Sequence, residues 1–523
     1  MPRPKVKSAL LYVVPLLFCA QQGGATRFVS TTGMDPGNDC TSSASPCGTI
    51  QWAVDEATAG EEIRVAAGTY TGSAVVVVTR FMVDYEYKQV VFVGKPLTIR
   101  GGYTESDWTT SNPVVNVTTI DAAGDGRPVS IVDTLNEVAI LDGFVLTGGD
   151  YTGLGNPSGQ VNHVCRDQEE VDCGGGLFIF ESAFQLLNSV VSGNVSSTVE
   201  GDGGGIYLWE ARTGTIENTT VMGNVAPGQG GGVYVTSQDF PLTIRDMTVA
   251  SNTANRGGGV CMASNIEALV RMEDSTVTGN SALTEEAGGL FARLTQNGLL
   301  LEMERVVVAD NEAWGQGKGV LLESAGNFLP EARLVNVLFS GNTRVDGAPE
   351  ATEDAVLALG PGFTNLDVTL AHVTAADNPV GSFLYAKTAT IAGIAVQVTA
   401  TNVLLSGFEN GWVGEEAGDG ELTIEDTNTL YFDVASQYLN LGGTPTFIGV
   451  DPVMGDPLLA SNYRLLPGSA AIDTGADAGI SDDIDGDSRP FGAAPDIGAD
   501  EFAPLFIDGF ESGDASAWSV EVP

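Results

Sequence analysis

Positive charge is scarce in this sequence. Lys and Arg number 23 against 67 Asp and Glu, a net charge of −44 over 523 residues. So acidic a surface repels phosphate backbones and anionic lipid heads, which argues against nucleic-acid binding. Histidine occurs only at His163 and His372. Beyond the first 25 residues no apolar run reaches the ~18 residues of a membrane-spanning helix. No stretch holds a 3.6-residue period long enough for a major helix. Disorder is not expected either, because 43% of residues are hydrophobic. Glycine, in contrast, is abundant at 67 residues. It shows no collagen period and so must serve tight turns and close backbone approaches.

The N-terminus has the pattern of an export signal. Arg3, Lys5 and Lys7 precede an apolar stretch from Ala9 to Ala20, broken by Pro15, and Gly23-Gly24-Ala25 offers small residues for cleavage after Ala25. Lipidation at Cys19 is the rival, but Phe18 stands where a lipoprotein signal wants a small residue. Removing residues 1–25 leaves a net charge of −47. Export implies an oxidising compartment. Cys40 and Cys47 flank a Ser/Pro loop, and Cys165 and Cys173 flank an acidic one; a disulfide can close each. Cys261 is left over, in a hydrophobic repeat position.

The middle of the chain repeats. Glycine triplets recur at Gly174-Gly175-Gly176, Gly203-Gly204-Gly205, Gly230-Gly231-Gly232 and Gly257-Gly258-Gly259, with weaker copies at Ala287-Gly288-Gly289 and Gly317-Lys318-Gly319. A short apolar run follows each. A second block then aligns Leu186, Asn188, Val191 and Asn194 with Ile216, Asn218, Val221 and Asn224. The columns continue through Ile244, Asp246, Val249 and Asn252 to Leu334, Asn336, Phe339 and Asn342, and faintly to Leu370, His372, Ala375 and Asn378. A period near 28 residues with two or three short strands fits one coil of a parallel β-helix. About 11 coils stacked at ~4.8 Å would make a rod of roughly 50 Å. The expected fold is all-β, a right-handed parallel β-helix with a smaller β-rich C-terminal region. Asn and Asp in the turn columns tolerate left-handed backbone, so His372, which shares their column, reads as structural. Strand alternation points Phe178, Tyr207, Tyr234 and Phe291 outward, with Cys261 and Leu321 between and beyond them. An exposed aromatic ladder could stack on sugar rings, unless another part of the chain covers it.

The Gly-Gly-x-apolar-aromatic run with its downstream x-x-Asn turn resembles the repeats of polymorphic outer membrane proteins; Phe339-Ser340-Gly341-Asn342 matches their F-x-x-N form. The opening Arg27 to Gly33, Thr49 to Val54 and Ile63 to Tyr70 resemble the start of bacterial right-handed β-helix proteins of the pectin-lyase-like superfamily. That resemblance implies a short helix capping the first coil near Gln51 to Ala59. Leu465 to Gly475, Asp485 to Pro490 and Asp496 to Phe502 resemble the choice-of-anchor Q proteins, and Phe506 to Trp518 a tail of exported Gram-negative proteins. The sequence ends at Pro523 without strands for a membrane β-barrel, so autotransport is not expected. The expected organisation is a signal peptide at 1–25, a cap and first coils at 26–90, repeats at 91–440, the choice-of-anchor Q-like region at 441–502 and a tail at 503–523. Localisation is expected to be secreted or on the outer surface of a Gram-negative bacterium.

Two function classes follow. The first is a structural or adhesive rod that binds an extracellular polysaccharide or cell-surface ligand. The second is a polysaccharide lyase or glycosidase, implied by the superfamily resemblance, although no Gly-His-Gly, Arg-Pro or Asp-His signature of those enzymes is present. If the chain is an enzyme, Lys318 with Arg293, Arg271 and Arg256 is the candidate basic patch and Lys318 the candidate general base. Asp482, Asp483, Asp485, Asp487 and Asp496 form the densest acid cluster. It either shapes a turn or binds Ca²⁺, with Asp483, Asp485 and Asp487 as candidate ligands.

Overall fold

The structure, a computed structural model, describes residues 24–503 apart from 81–82, 155–171, 326–327, 352, 361–364 and 392. The signal segment to residue 23, His163, Cys165 and residues 504–523 lie outside the described residues. The chain winds into a parallel β-helix with three stacked sheets. The first sheet holds the strand that follows each glycine triplet, such as Ile206–Trp209, Val233–Gln238 and Val260–Ile266. The second holds Gly214–Glu217, Leu242–Arg245 and Val270–Glu273. The third holds Thr220–Met222, Thr248–Ala250 and Thr276–Thr278. The ladder begins at Thr26–Val29 and ends at Val453–Met454. Among the described residues the one α-helix is Ile50–Glu56. Thr49 caps it by accepting from the Trp52 N–H, and Ile50, Ala53 and Val54 are buried against the first coil.

The repeat columns explain the winding. Like residues stack in register, so each apolar column becomes a strip of core. Ile216, Ile244, Met272, Met303 and Leu334 line one strip and Val191, Val221, Val249, Val277, Val308 and Phe339 another, all at most 1% exposed. The triplet works by two mechanisms. Gly230 has φ +66°, a backbone state L side chains avoid, while a Cβ on Gly231 or Gly232 would sit 2.5–2.6 Å from carbonyl oxygens of the next coil.

The asparagines divide into two ladders. Asn194, Asn224, Asn252, Asn280, Asn311, Asn342 and Asn378 are buried inside the rod. Each of the first six donates its Nδ2 to the Oδ1 of the next at 2.9–3.1 Å. The other column, Asn188, Asn218, Asp246, Asp274, Arg305, Asn336, His372, Asn402 and Asn428, has φ between +47° and +57° and faces outward at the turn between sheets two and three. The buried ladder is thus a hydrogen-bond spine, and the left-handed column is a rail on the outside.

The expected C-terminal region, 441–502, gives the ladder its last strands, Thr446–Val450 and Val453–Met454, and among the described residues no strand follows Met454. Residues 455–503 hold turns, bends and the isolated bridges Leu459↔Leu465 and Asp482↔Ser488. Gly and Asp punctuate this stretch, and it forms a strap that folds back over sheet three. Its backbone is met by the rail and its own side chains rather than by a sheet. Leu465, Ala471 and Ile497 pack on Leu404 and Leu430, and Ile484 and Ala499 pack on Leu338.

Cys40 and Cys47 are bridged, with Cα atoms 5.1 Å apart. Cys173 is disulfide-bonded, and its expected partner Cys165 falls outside the described residues. Cys261 is a buried thiol whose Sγ lies 3.5 Å from Gln229 Oε1. Several arginines on the coils are locally paired. Arg256 reaches both Glu285 and Glu286 at 2.9 Å, and the Glu285 side chain is 45% exposed. Glu285→Ala should therefore change unfolding free energy by less than about 0.5 kcal/mol in a denaturant titration, since Glu286 keeps the guanidinium paired.

Candidate functional site

A groove of about 810 Å³ runs along the side of the rod between one loop and the outward rail. The loop, residues 104–117, leaves the strand Thr98–Tyr103. It is pinned by Ser111 Oγ to the Gly101 carbonyl at 2.8 Å and by Asn116 Nδ2 to the Gly102 carbonyl at 3.0 Å. Pro113 lies close over Gly143, where a Cβ would approach its ring at 3.1 Å. The opposite wall is built from successive coils. Arg100 pairs with Asp142 at 2.7 Å and Glu62 at 3.1 Å. Asn188 Nδ2 donates to Asp142 Oδ1 at 2.8 Å, and Asn218 Nδ2 donates to Asn188 Oδ1 at 2.7 Å. Val145, Val190 and Thr220 stand in register on the floor. At the rim Val114, Val115 and Val117 are 88%, 73% and 47% exposed. Such a cluster of apolar side chains beside a polar wall suits a contact surface.

The rail continues from this groove to the strap. Asn188, Asn218, Asp246 and Asp274 are exposed, whereas Asn336, His372 and Asn402 are buried beneath the strap. Arg305 marks the junction and pairs with Asp274 at 2.5 Å and the strap's Asp482 at 3.2 Å. His372 Nδ1 lies 3.2 Å from the Asp496 carbonyl, which requires Nδ1 to carry the proton, and Nε2 then accepts from Asn402 Nδ2 at 3.0 Å. Burial, with Arg489 nearby, lowers the His372 pKa to about 3. The folded state therefore resists a proton that the unfolded chain accepts below about pH 6.5, and stability falls as pH drops through that value. Relative to His372→Asn, the wild type should lose about 2–3 kcal/mol between pH 7 and 4.5, read from denaturant midpoints at each pH. Burial raises Asp496 and Asp500 to about 6, which acts in the opposite sense, but both are common to the two proteins.

The residues singled out from sequence are placed differently from expectation. Phe178, Tyr207, Tyr234 and Phe291 do stack in one outward column, with Phe178–Tyr207 and Tyr207–Tyr234 ring centroids 5.7 and 5.0 Å apart. They do not face solvent: each is at most 1% exposed. Tyr87, from the hairpin Ala74–Arg80/Val83–Val93, and Tyr151 lie over this column in a second apolar cluster. Arg127 is fully buried there, its guanidinium 3.5 Å from the Tyr151 ring centre and 4.5 Å from that of Phe178.

The four basic residues do not make one patch. Arg256 and Arg293 both approach Phe291, but each is neutralised, Arg293 by Glu323 at 2.7 Å. Arg271 lies on sheet two, paired with Glu302 at 2.7 Å and Glu273 at 3.3 Å. Lys318 is inside the protein, 0% exposed, bound to Asp354 at 2.8 Å and to the Gly315 carbonyl. Burial lowers its pKa against the opposing pull of Asp354. A group so enclosed does not reach a polymer outside.

The acid cluster is rebuilt with a different member. Asp483, Asp485 and Asp500 bring ligand oxygens within 4.8 Å of one another, and Asp487 is not in the group. Protein donors already meet these carboxylates. Asp483 accepts from the backbone N–H groups of Asp485, Asp487 and Glu501 at 2.8–2.9 Å. Arg464 binds Asp485 and lies 3.5 Å from Asp500. This wiring makes the cluster a clasp that shapes the strap.

Sequence reasoning missed the groove, Arg127 and the strap's bed. One signal was present: the outward position of sheet three changes from Thr220, Thr248 and Thr276 to Val307, Leu338, Thr374, Leu404 and Leu430, mostly apolar, where the strap lies.

A family model described as "Right handed beta helix region" matches residues 159–302. The rod is a right-handed parallel β-helix. Its course is similar to a crystal structure of pectate lyase Pel9A at 12% sequence identity and a TM-score of 0.48, covering 92% of this chain and 98% of that chain. Comparison with the curated proteins finds no match.

Proposed function

We propose that this chain is an exported rod displayed outside a Gram-negative cell, with a structural and adhesive role, and that it meets an extracellular ligand in the lateral groove. The observation that carries this is the groove itself, where exposed valines face a hydrogen-bonding wall of Asp142, Asn188 and Asn218. Binding of the mature protein to matrix proteins, cell surfaces and arrayed glycans tests it. Retention on at least one such surface is expected, and no retention on any would overturn the adhesive role.

One observation favours a glycosidase as the second reading. Glu331 and Asp367 are register neighbours on sheet two and line a groove of about 400 Å³ with Arg333, Thr369 and Gln397. Burial first, then Glu331, raises the Asp367 pKa, the condition of a proton donor. Release of reducing ends from a panel of polysaccharides, abolished by Asp367→Asn, would establish that activity in place of the adhesive role.

A further inference from the structure

The strap shows what the outward rail recognises. Asn402 grips one strap residue by both backbone groups: its Oδ1 accepts from the Ala476 N–H and its Nδ2 donates to the Ala476 carbonyl, both at 2.8 Å. Asn428 Nδ2 donates to the Thr474 carbonyl at 3.0 Å, and Asn336 Nδ2 to the Asp482 carbonyl at 2.9 Å. Thr374 Oγ1 accepts from the Ala499 N–H at 2.9 Å. Between these contacts Leu338, Leu404 and Leu430 receive apolar strap side chains. The recognition unit is therefore a rail side chain, asparagine at Asn336, Asn402 and Asn428 and histidine at His372, beside an apolar or threonine floor. It reads main chain, with few demands on side-chain identity.

The same unit recurs, uncovered, in the groove. Asn188 and Asn218 occupy the rail positions with the same left-handed backbone, and Val145, Val190 and Thr220 occupy the floor. Asn218 Nδ2 is chained to its rail neighbour, as Asn402 Nδ2 is chained to His372. At Asn402 this chaining leaves the amide able to hold a peptide group as well, and Asn218 has the same capacity. The rail is continuous between the two regions through Asp246, Asp274 and Arg305, so the groove extends an interface already used by the chain itself.

Resting on the adhesive reading for its biological setting, we infer that the groove binds an extended polypeptide segment of a partner, in the manner of the strap. The segment would lay small apolar side chains on Val145 and Val190 and exchange backbone hydrogen bonds with Asn188 and Asn218. Its end directed toward Asp246 and Asp274 would carry Lys or Arg, because those carboxylates are exposed and the chain's net charge of −44 disfavours an acidic segment.

The test uses the mature protein against an immobilised array of random ten-residue peptides and, in parallel, a glycan array. Wild type should retain extended peptides with apolar and basic residues. Asn188→Gly with Asn218→Gly removes both amides at positions where Gly accepts the left-handed backbone, and should weaken retention about tenfold or more. Thr220→Arg, which fills the floor, should do the same, with melting temperatures confirming that both variants fold. Peptide binding unchanged in both variants, no peptide bound by wild type, or groove-dependent binding of glycans alone would each overturn the inference. Adhesion to cells that survives both variants would remove this inference while leaving the adhesive role of the rod standing.

Discussion

Replacing Asn252 with Leu is expected to destabilise the rod by about 3–6 kcal/mol, measured by chemical denaturation. Asn252 Oδ1 accepts both the backbone N–H and the side-chain Nδ2 of Asn224 at 3.0 Å. Its own Nδ2 donates to the Val221 carbonyl at 2.9 Å and to Asn280 Oδ1 at 3.0 Å. Leucine leaves the two Asn224 donors without partners in the core, each costing about 1–3 kcal/mol, and removes one hydrogen bond each from the Val221 carbonyl and Asn280 Oδ1. The fit is also tight, because Asn252 Nδ2 lies 2.9 Å from where a Cβ on Gly232 would stand. A cost near that of an ordinary surface change, under about 0.5 kcal/mol, would show that the ladder is not a structural spine. Asn218→Gly on the exposed rail is the matched control, and its cost should stay under about 1 kcal/mol.

Lys318→Ala carries the second large effect. Among the described residues it leaves Asp354, 5% exposed, with Arg344 at 3.5 Å as its one remaining cationic neighbour. Removing one member of a buried pair costs about 3–5 kcal/mol. Lys318→Met together with Asp354→Asn should recover most of that loss in thermal or denaturant unfolding, since no uncompensated charge remains. A catalytic lysine would behave otherwise: its removal would leave stability near wild type and abolish turnover of a polysaccharide. The interruption of the glycine triplet by Lys318 thus has a structural cause. Val320 pairs with Leu357, so the next coil opens with Asp354-Ala355-Val356, and the lysine ammonium is held by Asp354.

What could be read in the sequence was whatever repeats in register. Ile216, Ile244 and Met272 recur at one place in the period, and stacking turns that recurrence directly into a core strip. The helix at Ile50–Glu56 lies where resemblance placed it. What could not be read depends on contacts between distant segments. Alternation shows that Tyr207 and Tyr234 point away from their own coil, but not that Tyr87 and Tyr151 lie over that column. The glycine columns show Lys318 as an interruption, yet Asp354 stands 36 positions away in a coil whose opening carries no glycine to mark the register. Asn188 and Asn194 look alike in sequence. Only the coil geometry puts the first on the exterior with φ +47° and the second inside with 0% exposure. The groove needs the non-repeating loop 104–117 to be set against the rail, and loop paths leave no periodic trace.

The most direct test of the adhesive rod and its groove is one comparison of surface retention. Mature wild-type protein and Thr220→Arg are passed over immobilised matrix proteins and cells at equal concentration, and the bound fraction is measured. Thr220 lies on the groove floor and is partly exposed, so the long side chain obstructs the groove without entering the core. The expected result is retention of wild type and a loss of about tenfold or more in the variant. Equal retention of the two proteins would contradict the groove as the binding site, and no retention of wild type on any surface would contradict the adhesive role itself.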